Sequence, residues 1–195
     1  MKSPKFKVSR LISNNIWQTK RLTFKQTSLL SKLKKKSLKK QSDFSISLRN
    51  MKKLSLFYGN LPIKKMKRNV TYSYLDKKKS LLYNLETRLD VVLTRINFCS
   101  TIYTARQLIS HKKIYVNFQQ VLNPSFLLQN GDIVSVSPTF VNLLKLTIQE
   151  NFKKKRIFFE KAVHIEVNYK IFTAVMLYEP AQIFFPYKIN FSLLF

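Results

Sequence analysis

Apolar residues recur at helical spacing in two neighbouring stretches near the middle of the chain. Spacings of three and four residues form the stripe by which a short amphipathic helix packs on a core. The stripes are Leu89, Val92, Leu93 and Ile96 in the first stretch, and Ile102, Ala105, Leu108 and Ile109 in the second. Ser100 or Thr101 is a natural N-cap for the second helix. We therefore predict two helices separated by a short break.

The pattern then changes to that of short strands. Apolar residues at 114, 116 and 121 flank a turn at Asn117 and Phe118, and residues 130–132 form a second turn before Val134 and Val136. Phe is poor at positive φ, so we expect the first turn to use a type without left-handed residues. Together with the two helices, these strands predict an α+β module with a small antiparallel sheet.

Basic helical segments precede this module, and a strand follows it. Asp43 is a candidate cap for a helix whose repeat is Phe44, Leu48, Met51 and Leu54 to Ser55, and Gly59 and Pro62 end that helix. The basic stretches 64–68 and 77–79 are predicted as short helices. Ile165, Val167 and Tyr169 alternate as in a strand. The predicted organisation is a basic arm (1–41), a basic helical region (42–85), the α+β module (86–150) and a β-containing C-terminal extension (151–195).

Charge is distributed very unevenly over these segments. The chain carries a net charge of +27, of which +21 lies in residues 1–85, +2 in 86–150 and +4 in 151–195. Such an excess predicts a polyanionic partner. Residues 1–42 contain no acid, as is typical of an arm that becomes ordered on RNA. A mitochondrial targeting sequence is the competing interpretation, although such sequences prefer Arg and Lys dominates here.

Several classes of protein are disfavoured. The longest uncharged run near the C-terminus, residues 171–178, is far shorter than the roughly 20 residues of a membrane span. Binding of the basic chain to an anionic membrane surface is a weaker alternative. A single cysteine, Cys99, excludes an intramolecular disulfide and is expected to be a buried thiol. His111 and His164 lie far apart without metal-ligand spacing. We predict no catalytic residues, no metal and no cofactor.

Residues 88–90, 100–101, 105–111, 116–117 and 131–134 resemble, in order and spacing, the RNA-binding domain of the ribosomal protein S-four family. The resemblance implies contacts with the phosphates and 2′-hydroxyls of folded RNA, which Arg and hydroxyl donors suit. Asp90 is expected to cap its helix or pair with an arginine. The family often has glycine after Asn117, where this chain has Phe118. The contacts implied in this module are Arg88, Arg95, Ser100, Thr101, Arg106, Gln107, His111, Lys112, Lys113 and Asn117.

The resemblance extends beyond the module. Residues 6–10 resemble the opening of the S-four protein, and residues 42–59 resemble the helix before its domain, whereas a proline-glycine-glutamine-histidine-glycine segment of bacterial members is missing. The further contacts implied are Lys7, Arg10, Arg49, Lys52 and Lys53. The implied function is a non-enzymatic, early-binding component of the small ribosomal subunit. The alternatives are a free-standing RNA chaperone and a pseudouridine synthase, whose arginine-leucine-aspartate signature resembles residues 88–90.

Residues 164–170 and 180–195 resemble the C-terminus of mitochondrial members, and we expect this tail to pack on the basic N-terminal helices. Abundant Lys, Phe, Asn and Tyr with scarce Ala and Gly indicate AT-rich codons. A mitochondrial location is therefore expected, with plastid or bacterial cytoplasm as alternatives, and because the N-terminus aligns with the family's start we expect an organelle-encoded gene. The implied partners are small-subunit rRNA, proteins S-three and S-five, and the mRNA at the side where it enters.

Overall fold

We describe residues 6–15, 22–36, 42–66, 74–153 and 162–180 of a computed structural model. The chain divides into two compact units. Of the described residues, the N-terminal unit holds those up to Lys78, and the C-terminal unit holds those from Lys79 to Pro180. Helix α5, Tyr74–Glu86, includes the division between the two units.

The described part of the N-terminal unit is helical. It contains α1 Phe6–Ile12, α2 Phe24–Lys36, α3 Asp43–Phe57 and α4 Ile63–Met66. Helices α1 and α2 lie in the segment that the sequence predicted only as a basic arm. In α3 the cap is Ser42, whose side chain accepts a hydrogen bond from the Ser45 amide, and Asp43 is the first helical residue.

The apolar face of α3 differs from the predicted stripe. Met51, Leu54 and Ser55 are buried as expected, but Phe44 and Leu48 are exposed, and Asn50 is buried. The buried Ser55 hydroxyl has a hydrogen-bond partner, because it donates to the carbonyl oxygen of Leu61. The buried face of α3 therefore includes Asn50, a polar position that periodicity alone would assign to solvent.

The C-terminal unit contains the predicted pair of helices and a sheet larger than predicted. The helices are α6 Leu89–Arg95, α7 Ile102–Ser110 and α8 Pro138–Lys153. The strands are β1 Ile114–Val116, β2 Gln119–Gln120, β3 Ile133–Val136, β4 Ile165–Asn168 and β5 Thr173–Met176. All neighbours pair antiparallel in the order β2-β1-β3-β5-β4. The α+β class is confirmed, whereas α8 and the joining of β4 and β5 to the module's sheet were not predicted.

One face of the sheet and the two predicted helices share a single core. Alternate strand residues such as Val116, Val134 and Ala174 point into it and meet the α6 and α7 stripes. Cys99 is also buried there, and burial raises the pKa of its thiol to about 12. The predicted packing of residues 151–195 on the N-terminal region stays a prediction, and residues 181–195 lie outside the described residues.

Candidate RNA-binding surface

A buried carboxylate joins α6 to α7. Asp90 is fully buried and accepts hydrogen bonds from Arg88 Nε (3.0 Å to Oδ1) and Arg88 Nη2 (2.9 Å to Oδ2). Arg106 Nε donates to the same Asp90 Oδ2 at 2.7 Å. Two guanidinium groups on one carboxylate leave a net charge of +1 at this junction. The predicted pairing of Asp90 with an arginine is confirmed.

The two arginines of this cluster differ in exposure. Arg88 is buried, and its backbone stands at the N-cap of α6, so its side chain is committed to the fold. The Arg106 side chain is 27% exposed and lies 5.8 Å from the ring centroid of the exposed Tyr103. Asp90 on one side and Tyr103 on the other restrict the guanidinium, which reduces the entropy lost when it binds an anion.

A second buried ion pair uses the remaining arginine of α6. Arg95 donates from Nε (2.9 Å) and Nη2 (2.6 Å) to the two carboxylate oxygens of Glu86, which is fully buried. Near this pair lies His164, also buried. Burial lowers the pKa of His164, Glu86 opposes that shift and Arg95 adds to it. Arg95 thus ties the C-terminal end of α6 to the C-terminal end of α5, and the pair forms a buried polar cluster with His164 nearby.

The N-terminus of α7 is capped as predicted, and its outer face is polar. Thr101 is the N-cap, and its hydroxyl accepts a hydrogen bond from the Thr104 amide. Ser100 and Thr101 are half-buried, whereas Gln107, His111 and Lys112 are exposed and follow one another around the C-terminal end of the helix. The helix dipole favours the Lys112 cation at the C-terminus of α7, and this lysine is exposed.

The first hairpin turn contradicts the expectation of a turn without left-handed residues. Asn117 and Phe118 have φ values of +48° and +64°, which is the type I′ arrangement of two-residue hairpins. The Asn117 side chain donates to Asp132 Oδ1 at 2.8 Å and accepts from the Ile133 amide at 2.9 Å. The sequence reasoning judged Phe118 by its intrinsic preference, and these tertiary hydrogen bonds override it.

The N-terminal unit presents cations on three helices. Lys7 and Arg10 of α1 are exposed, as is Lys52 of α3. On α3, Lys53 is half-buried, and its pKa is lowered by burial and then by the positive charges of Arg49 and Lys34. Lys34 belongs to α2, so two helices bring three cations together. Lys34 was not among the predicted contacts, because no pattern in the sequence located α2.

The structure therefore divides the predicted contacts into three groups by exposure. Exposed are Lys7, Arg10, Lys52, Gln107, His111, Lys112 and Asn117; half-buried are Arg49, Lys53, Arg95, Ser100, Thr101, Arg106 and Lys113; buried is Arg88. Sequence reasoning missed Tyr103 and Glu86, which position Arg106 and Arg95. An aromatic three residues before Arg106 on the same helix was the available signal for Tyr103.

Other kinds of site find little support in the part of the chain that the structure describes. No group of three or more His, Cys, Asp or Glu residues there could hold a metal ion. No helix there has the length and apolar composition needed to cross a membrane.

Comparison with known proteins identifies the family. The S4 domain matches residues 87–134. The uS4m small ribosomal subunit protein of Marchantia polymorpha is 57% identical over 195 residues, 100% of each chain. The uS4m protein of Reclinomonas americana is 33% identical over 76% of this chain and 63% of its own length. The uS4 protein of Caulobacter vibrioides (strain NA1000 / CB15N) is 29% identical over 96% and 92%. The chain belongs to the uS4 family of small ribosomal subunit proteins.

Proposed function

We propose that this protein is a structural component of the small subunit of the mitochondrial ribosome, where it binds small-subunit rRNA. The observation that carries the proposal is the 57% identity, over the whole of both chains, to a protein named as a uS4m small ribosomal subunit protein. The relatives are named as ribosomal proteins and not as enzymes, in agreement with the prediction that the chain is not an enzyme.

The buried state of Asp90 argues against the pseudouridine synthase alternative. A catalytic aspartate must reach its substrate, but both oxygens of Asp90 accept hydrogen bonds from arginines, and the residue is fully buried. Its arginine-leucine-aspartate triplet therefore serves to join two helices. The RNA-chaperone alternative uses the same binding surface and differs only in whether the protein resides in a particle.

Cosedimentation distinguishes a ribosomal protein from a free-standing RNA chaperone. Mitochondrial lysates are run on sucrose gradients. The protein is expected to migrate with the small subunit at moderate salt and to stay bound to the salt-washed small subunit at higher salt. A protein that stays at the top of the gradient under both conditions would contradict the ribosomal function and favour a free chaperone. A known small-subunit protein in the same gradient controls for subunit integrity.

Within the particle, we infer two kinds of role for the predicted contact residues. The exposed cations and Gln107 contact phosphates and 2′-hydroxyls directly, since their side chains reach solvent, whereas the exposed Asn117 amide also holds the hairpin turn through Asp132 and Ile133. Arg88 and Arg95 act mainly within the fold, because Arg88 binds the Asp90 carboxylate at the start of α6 and Arg95 ties the end of α6 to Glu86 of α5. Arg106 does both, because its Nε is bound to Asp90 while part of its side chain is exposed.

Replacing Arg106 tests this division. Arg106→Gln should weaken binding to small-subunit rRNA and lower the magnitude of the salt slope by roughly 0.7 to 0.9 for one lost phosphate contact. The module should stay folded, because Arg88 still pairs with Asp90. Lys145→Gln, which removes an exposed cation from α8, is the control for loss of charge alone. Equal affinities and slopes for the two variants would remove Arg106 from the contacts.

The resemblance to the S-four family also supports a position in the subunit. We propose that the protein binds rRNA early in assembly, lies at the side where mRNA enters, and neighbours ribosomal proteins S-three and S-five. Crosslinking of intact small subunits followed by mass spectrometry should link its lysines to those two proteins. Crosslinks only to proteins of the opposite side of the subunit would contradict this position.

A further inference from the structure

The tip of the β1–β2 hairpin holds a large aromatic residue in an unfavourable backbone conformation. Phe118 has φ +64°, in the left-handed region that costs every residue with a Cβ and that bulky residues rarely enter. The side chain gains nothing in return from the fold, since Phe118 is 82% exposed. Glycine would fit this turn without strain. A strained, solvent-exposed aromatic residue points to a role in binding.

The ring is held on a rigid support. The backbone amide of the neighbouring Asn117 donates to the Ile133 carbonyl oxygen at 2.9 Å, and the Asn117 side chain binds both Asp132 and the Ile133 amide. Asp132 in turn accepts from the Gln129 amide at 2.8 Å. The turn is thus attached to the following loop at several points, so that ordering it upon binding costs little entropy.

The position of the hairpin favours a nucleic acid as its partner. Strand β2 is the edge of the sheet, and the hairpin tip that it forms with β1 is exposed. The other end of β1 follows the exposed His111 and Lys112, and three strand residues separate that end from the turn. One hairpin therefore carries the Lys112 cation, which suits a phosphate, at its base and an aromatic face, which suits a nucleic-acid base, at its tip about 10 Å away.

The carboxylate of Asp132 helps to decide which part of the RNA meets the tip. It accepts hydrogen bonds from Asn117 and Gln129 and lies beside the turn. A negative charge at this place disfavours a phosphate, whereas the uncharged face of a base can approach an aromatic ring there. The chemistry of the tip thus matches a base that has left its helical stack.

We propose that Phe118 stacks on an unpaired base of the small-subunit rRNA, which makes the hairpin tip a contact of this chain in addition to the residues that the family resemblance implies. The proposal rests on the rRNA-binding function proposed above. It assigns to Phe118 a contribution to affinity that does not depend on charge, in contrast to that of the surrounding cations.

The test measures binding of the full-length chain to in vitro transcribed small-subunit rRNA from the source mitochondrion over a range of salt concentrations. Phe118→Gly removes the ring and relieves the strained φ, and Phe118→Leu keeps an apolar side chain without an aromatic face. Both should lower the affinity about tenfold, because stacking of one base is worth on the order of that factor, and both should leave the salt slope unchanged. Phe126→Leu, at another exposed phenylalanine of the same unit, is the matched control and should bind as the wild type does.

Phe118→Trp gives a direct readout of stacking. In a Trp17→Phe background it is the single tryptophan of the chain, and its fluorescence should be quenched by rRNA while affinity is retained. Melting of the free Phe118→Gly variant should be no lower than that of the wild type, which excludes unfolding as the cause of weaker binding.

Three results would overturn the proposal. Unchanged rRNA affinity in Phe118→Gly alongside normal wild-type binding would refute stacking and leave the proposed function standing. Retained affinity in Phe118→Leu with loss in Phe118→Gly would indicate an apolar contact instead of stacking. Normal rRNA binding by every variant combined with poor incorporation of Phe118→Gly into subunits would assign the ring to a neighbouring protein. Absence of wild-type binding would instead reject the rRNA-binding function itself.

Discussion

The two units of the molecule use positive charge in different ways. In the C-terminal unit, Arg88, Arg95 and Arg106 all bind buried carboxylates, and only part of their charge reaches the surface. In the N-terminal unit, Lys7 and Arg10 are exposed, and residues 1–78 carry +20 of the net charge, from 22 basic and 2 acidic residues. The arginines paired with buried carboxylates fix the positions of the helices that form the surface. The exposed cations of the N-terminal unit supply long-range attraction to a polyanion.

This difference explains why the family's recognisable motif lies in the nearly neutral part of the chain. Residues that pair in the core are tied to specific neighbours and spacings, so they form a pattern that can be read. Exposed lysines contribute through their number and can stand at many positions. Each part of the comparison can be tested by substitutions that act on one kind of cation and leave the other unchanged.

The largest effect is expected at Asp90. Asp90→Asn removes the charge that compensates Arg88 and Arg106, and leaving buried charges uncompensated should lower the free energy of unfolding by about 3 kcal/mol. Chemical denaturation of the full chain measures this loss. Glu166→Gln, which neutralises an exposed carboxylate on β4, should change stability by less than about 0.5 kcal/mol. Equal stability of the two variants would mean that the buried cluster does not shape the module.

Removal of exposed cations from the N-terminal unit should weaken rRNA binding and leave the free energy of unfolding unchanged. Changing Lys7, Arg10 and Lys52 together to Gln should leave unfolding unaffected and reduce the magnitude of the salt slope of rRNA binding by about 2 to 3. The control makes the same change of charge in the C-terminal unit. Its substituted positions are Lys145, Lys153 and Lys170, all exposed. If the control lowers the salt slope as much, both units contribute equally to the electrostatic attraction to rRNA, and the proposed difference between the units is wrong.

The smallest effect is a pH dependence of stability in the C-terminal unit. Burial lowers the pKa of His164 in the folded state from its ordinary 6.5, so the unfolded chain binds the proton more readily. The free energy of unfolding should therefore be constant above pH 6.5 and fall as the pH drops below it towards the lowered pKa. A His164→Gln variant should show a flatter profile between pH 7 and 5.5, whereas His111→Gln, at the exposed histidine, should follow the wild type. A wild-type profile without this decline would show that folding does not lower the pKa of His164.

Local patterns were sufficient for the elements whose side chains alternate between core and solvent. The stripes of α6 and α7, the Thr101 cap and the strands β1, β3 and β4 follow directly from spacing. The pairing of β5 with β3 joins residues about 40 positions apart, and no local signal specifies it. Burial of Asn50 on α3 likewise depends on neighbours that periodicity does not encode.

The candidate surface was predictable in residue type and less so in role. Motif spacing selected Arg88, Arg95 and Arg106 correctly as special positions, yet it could not distinguish an arginine that reaches RNA from one that binds Asp90 or Glu86. That distinction depends on which carboxylate the fold places nearby, and Glu86 comes from a different helix. For Phe118 the sequence showed a poor fit to the hairpin turn but did not show its conformation. The structure places it in that turn at positive φ, and this unfavourable conformation is what suggests a role in binding.

The burial of Cys99 has a chemical consequence for a protein with a single thiol. Nucleophilic attack requires the thiolate, and a pKa of about 12 together with enclosure in the core keeps the native thiol inert to alkylating reagents and to peroxide. Each molecule that becomes labelled must first have opened the contact between the α6–α7 pair and the sheet. The rate of maleimide labelling, with and without bound rRNA, therefore measures how much the ribosomal partner suppresses the breathing of this core.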